Sequence, residues 1–355
     1  MLLSKDANQI LNLKSLVEIR DNWFKKLQMI FDGTYNNENV LAVFGLVGCG
    51  KSDPYIEPEK WVYECLEDIS KKADEINNDI IFKPLCVEYG IYGVHFIDKI
   101  LGANVYFKDG QWYNDYLKSS IGTLKYPDLE NCEIWELAKK AALAFKEANQ
   151  ELAVFGLPTI ASTLNIAVNL YGEEILVELL IDPKNALKDL KVINKLLIDI
   201  HTWFISVLPK SQLQPVISWC RTQPPGFGQI CGCTTQLISS EAYEELIAPL
   251  DSSLLAVYKN GGMIHLCGSH LQHLQAFSNM KELKAFQLND RAAHDLEGYY
   301  KGLRDDQIIY LNPCSGMTIE RAMEITNGNR LVIADGSMSS PVKVKTNVTV
   351  TGERG

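Results

Sequence analysis

The chain has 355 residues and a formal net charge of −10, with 46% hydrophobic and 22% charged residues, the balance of a folded globular protein with a large core. No run of Lys or Arg exceeds a pair, which excludes the concentrated basic face on which nucleic-acid binding depends and docking on an anionic membrane. The longest apolar runs, such as 175–181 with Glu178 inside it, fall far short of the roughly 20 residues that span a bilayer.

The start, Met1-Leu2-Leu3-Ser4-Lys5-Asp6, has no basic segment leading into an apolar one, so no secretory signal is expected. Cysteines stand at 49, 65, 86, 132, 220, 231, 233, 267 and 314, an odd and scattered set. That pattern indicates reduced thiols and a cytoplasmic protein.

Taken in chain order, residues 7–32 have the helical spacing of an N-terminal amphipathic helix (Ile10, Leu13, Leu16, Val17, Trp23, Leu27). A buried strand is expected at 40–46, a helix at 58–77 opened by Pro58, a strand at 80–87 and a loop at 88–93. Further on, strands are expected at 152–155, 214–219, 263–266, 285–288, 308–311 and 330–334. Helices are expected at 159–180, 182–207, 239–259, 270–277, 294–303 and 318–325. Short apolar runs alternating with helices imply βα units on a parallel sheet, and about eight such strands favour a closed α/β barrel of the (β/α)8 TIM type. The whole chain, 1–355, then forms one domain, with residues 1–39 as a helical extension and 342–355 as a peripheral tail.

Gly45-Leu-Val-Gly-Cys-Gly50-Lys51-Ser52 satisfies the G-x-x-x-x-G-K-[ST] pattern of a phosphate-binding loop. Such a loop needs a helix to begin at the Lys, so that free N–H groups face the phosphates. Pro54 and Pro58 follow and break that helix. A glycine-rich turn without nucleotide is therefore expected.

The most informative segment is Gly262-Met-Ile-His265-Leu-Cys267-Gly268-Ser-His270-Leu-Gln-His273. Residues two apart on a strand share a face, so His265 and Cys267 would together reach the mouth of a barrel at a strand's C-terminal end. Imidazole and thiolate are both zinc ligands; a packed core histidine beside a buried thiol is the alternative. Cys231-Gly232-Cys233 and Asn312-Pro-Cys314 fall near other strand ends, and a catalytic zinc needs three protein ligands and an open position. Glu88, after the second strand, and His270 are acid/base candidates; for Glu88 the competing expectation is a solvated loop carboxylate. Cys220 fits core or rim. Cys49, Cys65, Cys86, Cys132, His95 and His201 read as structural.

These segments together resemble the uroporphyrinogen decarboxylase superfamily over about residues 40–340. Leu237-Ile-Ser-Ser240-Glu-Ala-Tyr243-Glu-Glu-Leu-Ile-Ala-Pro249 is similar to its L-I-S-P-E-x-[FY]-x-E-F-x-x-P helix start, with Ser240 in place of Pro. Asp182-Pro183 and Leu101-Gly102-Ala103 fall at similar turns. His265-Leu-Cys267-Gly268 resembles the H-x-C-G strand end of the corrinoid-dependent methyltransferase branch.

That resemblance implies a zinc-dependent methyltransferase, with zinc on His265, Cys267 and a later Cys, moving a methyl group from methylcobalamin, a corrinoid presented by a partner protein, to a thiol. The later Cys belongs on the last strand, where Asp335-Gly336-Ser337 stands instead. Cys314 is the nearest substitute and Cys233 the second. The decarboxylase branch holds carboxylates with an Arg-rich N-terminal loop, whereas residues 46–54 here offer Lys51 and no Arg. A decarboxylase of a small carboxylated substrate and a non-catalytic corrinoid-docking relative remain the alternatives, and a homodimer is a further expectation.

Overall fold

A computed structural model describes residues 1–35, 38–214 and 218–344. Its strands are β1 (Leu41–Val43), β2 (Leu46–Val47), β3 (Ile81–Phe82), β4 (Leu85–Glu88), β5 (Val105–Lys108), β6 (Gln111–Asn114), β7 (Val154–Gly156), β8 (Leu213–Gln214), β9 (Gly228–Cys231), β10 (Gly262–Leu266), β11 (Leu283–Leu288), β12 (Ile308–Leu311) and β13 (Leu331–Ile333). β5 and β6 form a separate antiparallel hairpin. The others pair in parallel in two ladders, β3-β1-β13-β12-β11-β10-β9 and β2-β4-β7-β8.

The two ladders are one surface interrupted twice. β1 and β2 are successive pieces of one chain segment, as are β3 and β4. Pro84 lies in the second break, where it has no N–H for the ladder, but its carbonyl still accepts from Leu46 N (2.8 Å) while Phe44 N donates to Phe82 O (2.9 Å). The continuous order therefore runs β8, β7, β4/β3, β2/β1, β13, β12, β11, β10, β9. No ladder joins β8 to β9 among the described residues, and the expected barrel closure is not seen there.

The surface nevertheless curls round on itself. Leu41, Val43, Phe82, Cys86, Val154, Met263, Ala285, Ile308, Tyr310 and Val332, drawn from strands along nearly the whole order, meet in a single buried cluster. Strands buried on both faces are continuously apolar: β1, β7, β12 and β13 expose no residue. The helix Lys14–Phe31 closes one end of this interior with Trp23, Phe24, Leu27 and Ile30. Trp23 stacks on Phe82 with ring centroids 5.7 Å apart, Phe24 meets Phe82 edge-on at 5.2 Å, and Phe31 reaches Phe227 at 4.5 Å.

Several expected elements are subdivided, each at a residue that accounts for it. The helix at 159–180 is two, Thr163–Tyr171 and Glu174–Ile181, split at Gly172 with φ +65°. The helix at 58–77 ends at Ser70, with a 3₁₀ turn after it. The helix at 239–259 opens with Ser239 accepting from Ala242 N and widens into a π turn, Tyr243–Ile247, just ahead of Pro249, which has no N–H to donate.

The strand expected at 214–219 is instead Leu213–Gln214 and a short helix Ser218–Arg221, with 215–217 outside the described residues. β9, the hairpin and the helix Glu133–Glu147 were not anticipated. Of the expected tail, Lys343 bridges Asn39 and Val344 N donates to Glu38 O at 2.6 Å, while 345–355 lie outside the described residues. Among the described residues no helix is long and apolar enough to cross a membrane.

The Gly45–Ser52 turn has its amides already occupied. Glu64 accepts from Lys51 N (2.7 Å), Ser52 N (2.6 Å) and Ser52 Oγ (2.9 Å), and Asp68 accepts from Cys49 N (3.0 Å). The next α-helix starts at Pro58. Carboxylates of the protein itself take the N–H groups that a phosphate would need.

Candidate metal centre

β9 and β10 end side by side, with Cys231 in register with His265 and, on the other side, His265 in register with Gln287 of β11. Two residues back, Met263 and Ala285 belong to the interior cluster. Strand alternation therefore points Cys231, His265 and Gln287 inward at the C-terminal end of the sheet. After β9 the chain turns at Gly232 into the 3₁₀ segment Cys233–Leu237. A Cβ at Gly232 would come within 2.5 Å of Ile264 Cδ1, so glycine lets the turn press against β10, where Gly232 N donates to His265 O at 2.9 Å.

The result is a thiol pair over an imidazole. Cys231 Sγ and Cys233 Sγ are 3.7 Å apart, and with a ring nitrogen of His265 they fall within 4.8 Å of one another. Cys267, two residues past His265, interacts with Cys233 and His265. Contact with Cys233 is the main cause that lowers Cys231 and Cys267 below the usual thiol range, against the opposing effect of burial; His265 acts in the same direction on both. Those two contacts, ahead of burial, hold Cys233 well above that range.

Polar neighbours set the orientation. Gln287 Nε2 donates to Asn312 Oδ1 (2.5 Å), which turns its amide oxygen toward Arg221 Nε (3.1 Å) and His265 Nδ1. An amide oxygen only accepts, so His265 donates from Nδ1, and in the neutral ring Nε2 is then the nitrogen with the lone pair. A metal-binding histidine needs this tautomer, and an outer hydrogen bond commonly fixes it. Asn165, on the helix Thr163–Tyr171, donates to Cys231 Sγ (3.8 Å) and accepts from Thr234 N (3.2 Å). His273 Nε2 donates to Thr235 O (2.8 Å). The turn is thus tied down on both flanks.

Tetrahedral zinc with Zn–S bonds of about 2.3 Å has sulfur atoms about 3.8 Å apart. The Cys231–Cys233 spacing of 3.7 Å matches that edge, and soft thiols with a bare imidazole nitrogen are a zinc donor set.

Other candidates fall elsewhere. Cys314, expected as the third ligand, sits beyond β12 in a turn where it exchanges backbone hydrogen bonds with Met317 (both 3.0 Å). β11 separates it from β10, and the linked side chains of Gln287 and Asn312 occupy the intervening ground. The second choice, Cys233, is the one brought to His265, and Cys231 comes with it. Glu88 ends β4, in register with Gly156, well round the sheet from β10 and outside the thiol cluster. His270 is fully buried and donates from Nδ1 to Gly268 O (2.7 Å); burial lowers its pKa, and it stands behind the site.

Sequence reasoning missed Arg221, Asn165, Gln287 and Asp290. The available signal for Gln287 was a polar residue two positions after the inward-facing Ala285. Asp290, which bears electrostatically on Cys267, has φ +47°, a left-handed conformation that costs a non-glycine residue energy and clusters at functional sites.

No family profile and no curated protein matches this chain. A solved methyltransferase from Methanosarcina mazei shares its fold. The two align with a TM-score of 0.60 over 88% of this chain and 93% of that one, at 11% identity. The likeness is one of architecture, and it agrees with a TIM-type α/β arrangement.

Proposed function

We propose that the chain is a methyltransferase in which Cys231, Cys233 and His265 hold a zinc ion and a thiol substrate accepts a methyl group from a methylated corrinoid carried by a partner protein. The observation that carries this reading is the thiol–thiol–imidazole trio at the mouth of the curled sheet, supported by the fold it shares with a methyltransferase. Bound zinc would favour the thiolate form of a substrate thiol at neutral pH, and the corrinoid would supply the methyl chemistry. The chain's own task is positional. Gln287 keeps the His265 lone pair available, Asn165 and His273 hold the turn, and the apolar cluster beneath keeps water from that side.

A decarboxylase of a small carboxylated substrate is the second reading. Arg221 favours it, being buried beside the site with its Nε on a neutral amide oxygen.

Protein prepared without chelator is expected to contain about one zinc per chain by elemental analysis, since three soft donors suffice for a catalytic site. His265→Ala and Cys233→Ala should each lose most of it, because the remaining donors cannot fill the site, whereas Cys314→Ser should retain it. Methylcobalamin should be demethylated in the presence of a small thiol, followed by its visible spectrum. Metal-free wild type, or retention of zinc by both ligand variants, sinks the metalloenzyme reading.

A further inference from the structure

The end of the sheet opposite the thiols carries a second hollow. Phe227, Tyr258, Lys281 and Asp306 stand just before β9, β10, β11 and β12, and they frame a recess of about 540 Å³ bordered by Gln28 and Phe31 of the N-terminal helix. A narrower slot of about 200 Å³ adjoins it, and Phe227, Tyr258 and Lys259 line both. Small-molecule sites run from roughly 300 to 1,000 Å³, a range into which the two together fall. In TIM-type arrangements this face carries stability rather than chemistry, so a formed recess here belongs to neither the thiol site nor the core.

The slot is apolar, walled by Ile205, Leu213, Phe227, Val257 and the ring of Tyr258. The Tyr258 hydroxyl is already paired with His201 Nδ1 (2.7 Å), so the ring is what this residue offers. A Cβ at Gly228 would come within 2.2 Å of that ring, and one at Gly226, with φ +92°, within 2.5 Å of Lys210 Cε. Glycine at both positions lets the ring and the lysine stem close against the chain.

The charges around the hollows are unequally engaged. Lys210, Lys259, Lys281 and Lys284 face three carboxylates, Asp32, Glu282 and Asp306, which leaves one positive charge over in a chain whose net charge is −10. Every one of the carboxylates has a donor from the protein itself. Asp32 accepts from Gln28 Nε2 (2.9 Å), Glu282 from Ser252 Oγ (2.6 Å), and Asp306 from Lys284 Nζ (2.9 Å) and Arg304 Nε (2.7 Å). Among the described residues, no hydrogen bond or ion pair engages the ammonium groups of Lys210, Lys259 and Lys281.

We propose that this recess binds a small amphiphilic monoanion, an alkyl carboxylate whose chain enters the slot and whose head meets Lys210 and Lys259 at its rim. A single surplus positive charge suits a carboxylate better than a doubly charged phosphate ester. Exposed lysines contribute modestly, so most of the affinity comes from taking the chain out of water. The occupant would rest on Phe227, whose ring lies 4.5 Å from that of Phe31, and would thereby brace the helix that closes this end of the interior. The site is separate from the zinc reading, and neither depends on the other.

The test is calorimetric titration of the full chain with sodium octanoate, with thermal unfolding alongside. Octanoate should bind at about one per chain and raise Tm, because it binds only the folded state. Butyrate, too short to fill the slot, and octylamine, with the opposite charge, should each bind at least about tenfold more weakly. Lys210→Gln combined with Lys259→Gln should weaken octanoate at least about threefold, Ile205→Trp should block the slot and abolish binding, and Cys233→Ala should bind as wild type does.

No binding of octanoate up to about 10 mM overturns the proposal. Octylamine as tight as octanoate, or full affinity in the double lysine variant, removes the anion site. Butyrate as tight as octanoate, or full affinity in Ile205→Trp, removes the slot. Each of these results also overturns the proposal, and none bears on zinc. Circular dichroism of the variants separates loss of binding from loss of fold, and the lysine pair, exposed at the rim, tests the site without touching the core.

Discussion

Gln287 decides which nitrogen of His265 is available. Its amide is oriented from the far side by Asn312 and receives Arg221 Nε and His265 Nδ1 on its oxygen. Gln287→Leu removes the acceptor and frees the imidazole to change tautomer or rotate. Loss of such an outer-shell partner typically costs 10–100-fold in metal affinity, so zinc affinity of this variant should fall by about that factor. Competition with a chromophoric chelator measures it, and wild-type affinity in Gln287→Leu would show that the tautomer is held by something else.

At the scale of elements, the turn after the first strand matches a phosphate-loop pattern while its polar hydrogens already have acceptors within the protein. Three of its polar hydrogens point at Glu64 and one at Asp68, and these bonds hold the Glu64 carboxyl below its usual range, led by that from Ser52 N. The turn is satisfied as it stands, because its acceptors come from the helix Pro58–Ser70 that packs beside it. Calorimetry should find no ATP or GTP binding up to about 1 mM, a range where only interactions weaker than about −4 kcal/mol go unseen. Micromolar binding abolished by Lys51→Ala would refute this.

At the scale of the whole molecule, the interior is shaped by a helix inserted at one end and a polar cluster at the other. Phe82 is fully buried between Trp23 and Phe24, so it couples the N-terminal helix to the sheet. Phe82→Ala should destabilise by about 3–5 kcal/mol, the usual cost of removing a buried aromatic side chain. Denaturant unfolding measures it through a lower midpoint at unchanged slope. A cost below about 1 kcal/mol would mean that the helix is not integral to the core.

The parallel α/β character, most of the strand positions and the lack of a helix beginning at Lys51 were legible in the sequence. Each follows from local rules: the period of two on a strand, apolar runs buried on both faces, proline's missing N–H. The partner thiols were not. Cys231 and Cys233 lie more than thirty residues before His265, and the strand carrying Cys231 was hidden by the Pro224-Pro225-Gly226 approach and by the polar Gln229 within it. Parallel register between β9 and β10 sets Cys231 against His265, and the fold alone decides which strands become neighbours. Cys314 stands beyond β12, and β11 lies between that strand and the β10 strand of His265. Spacing along a chain fixes the face a side chain takes; the order of strands in the sheet decides which faces meet.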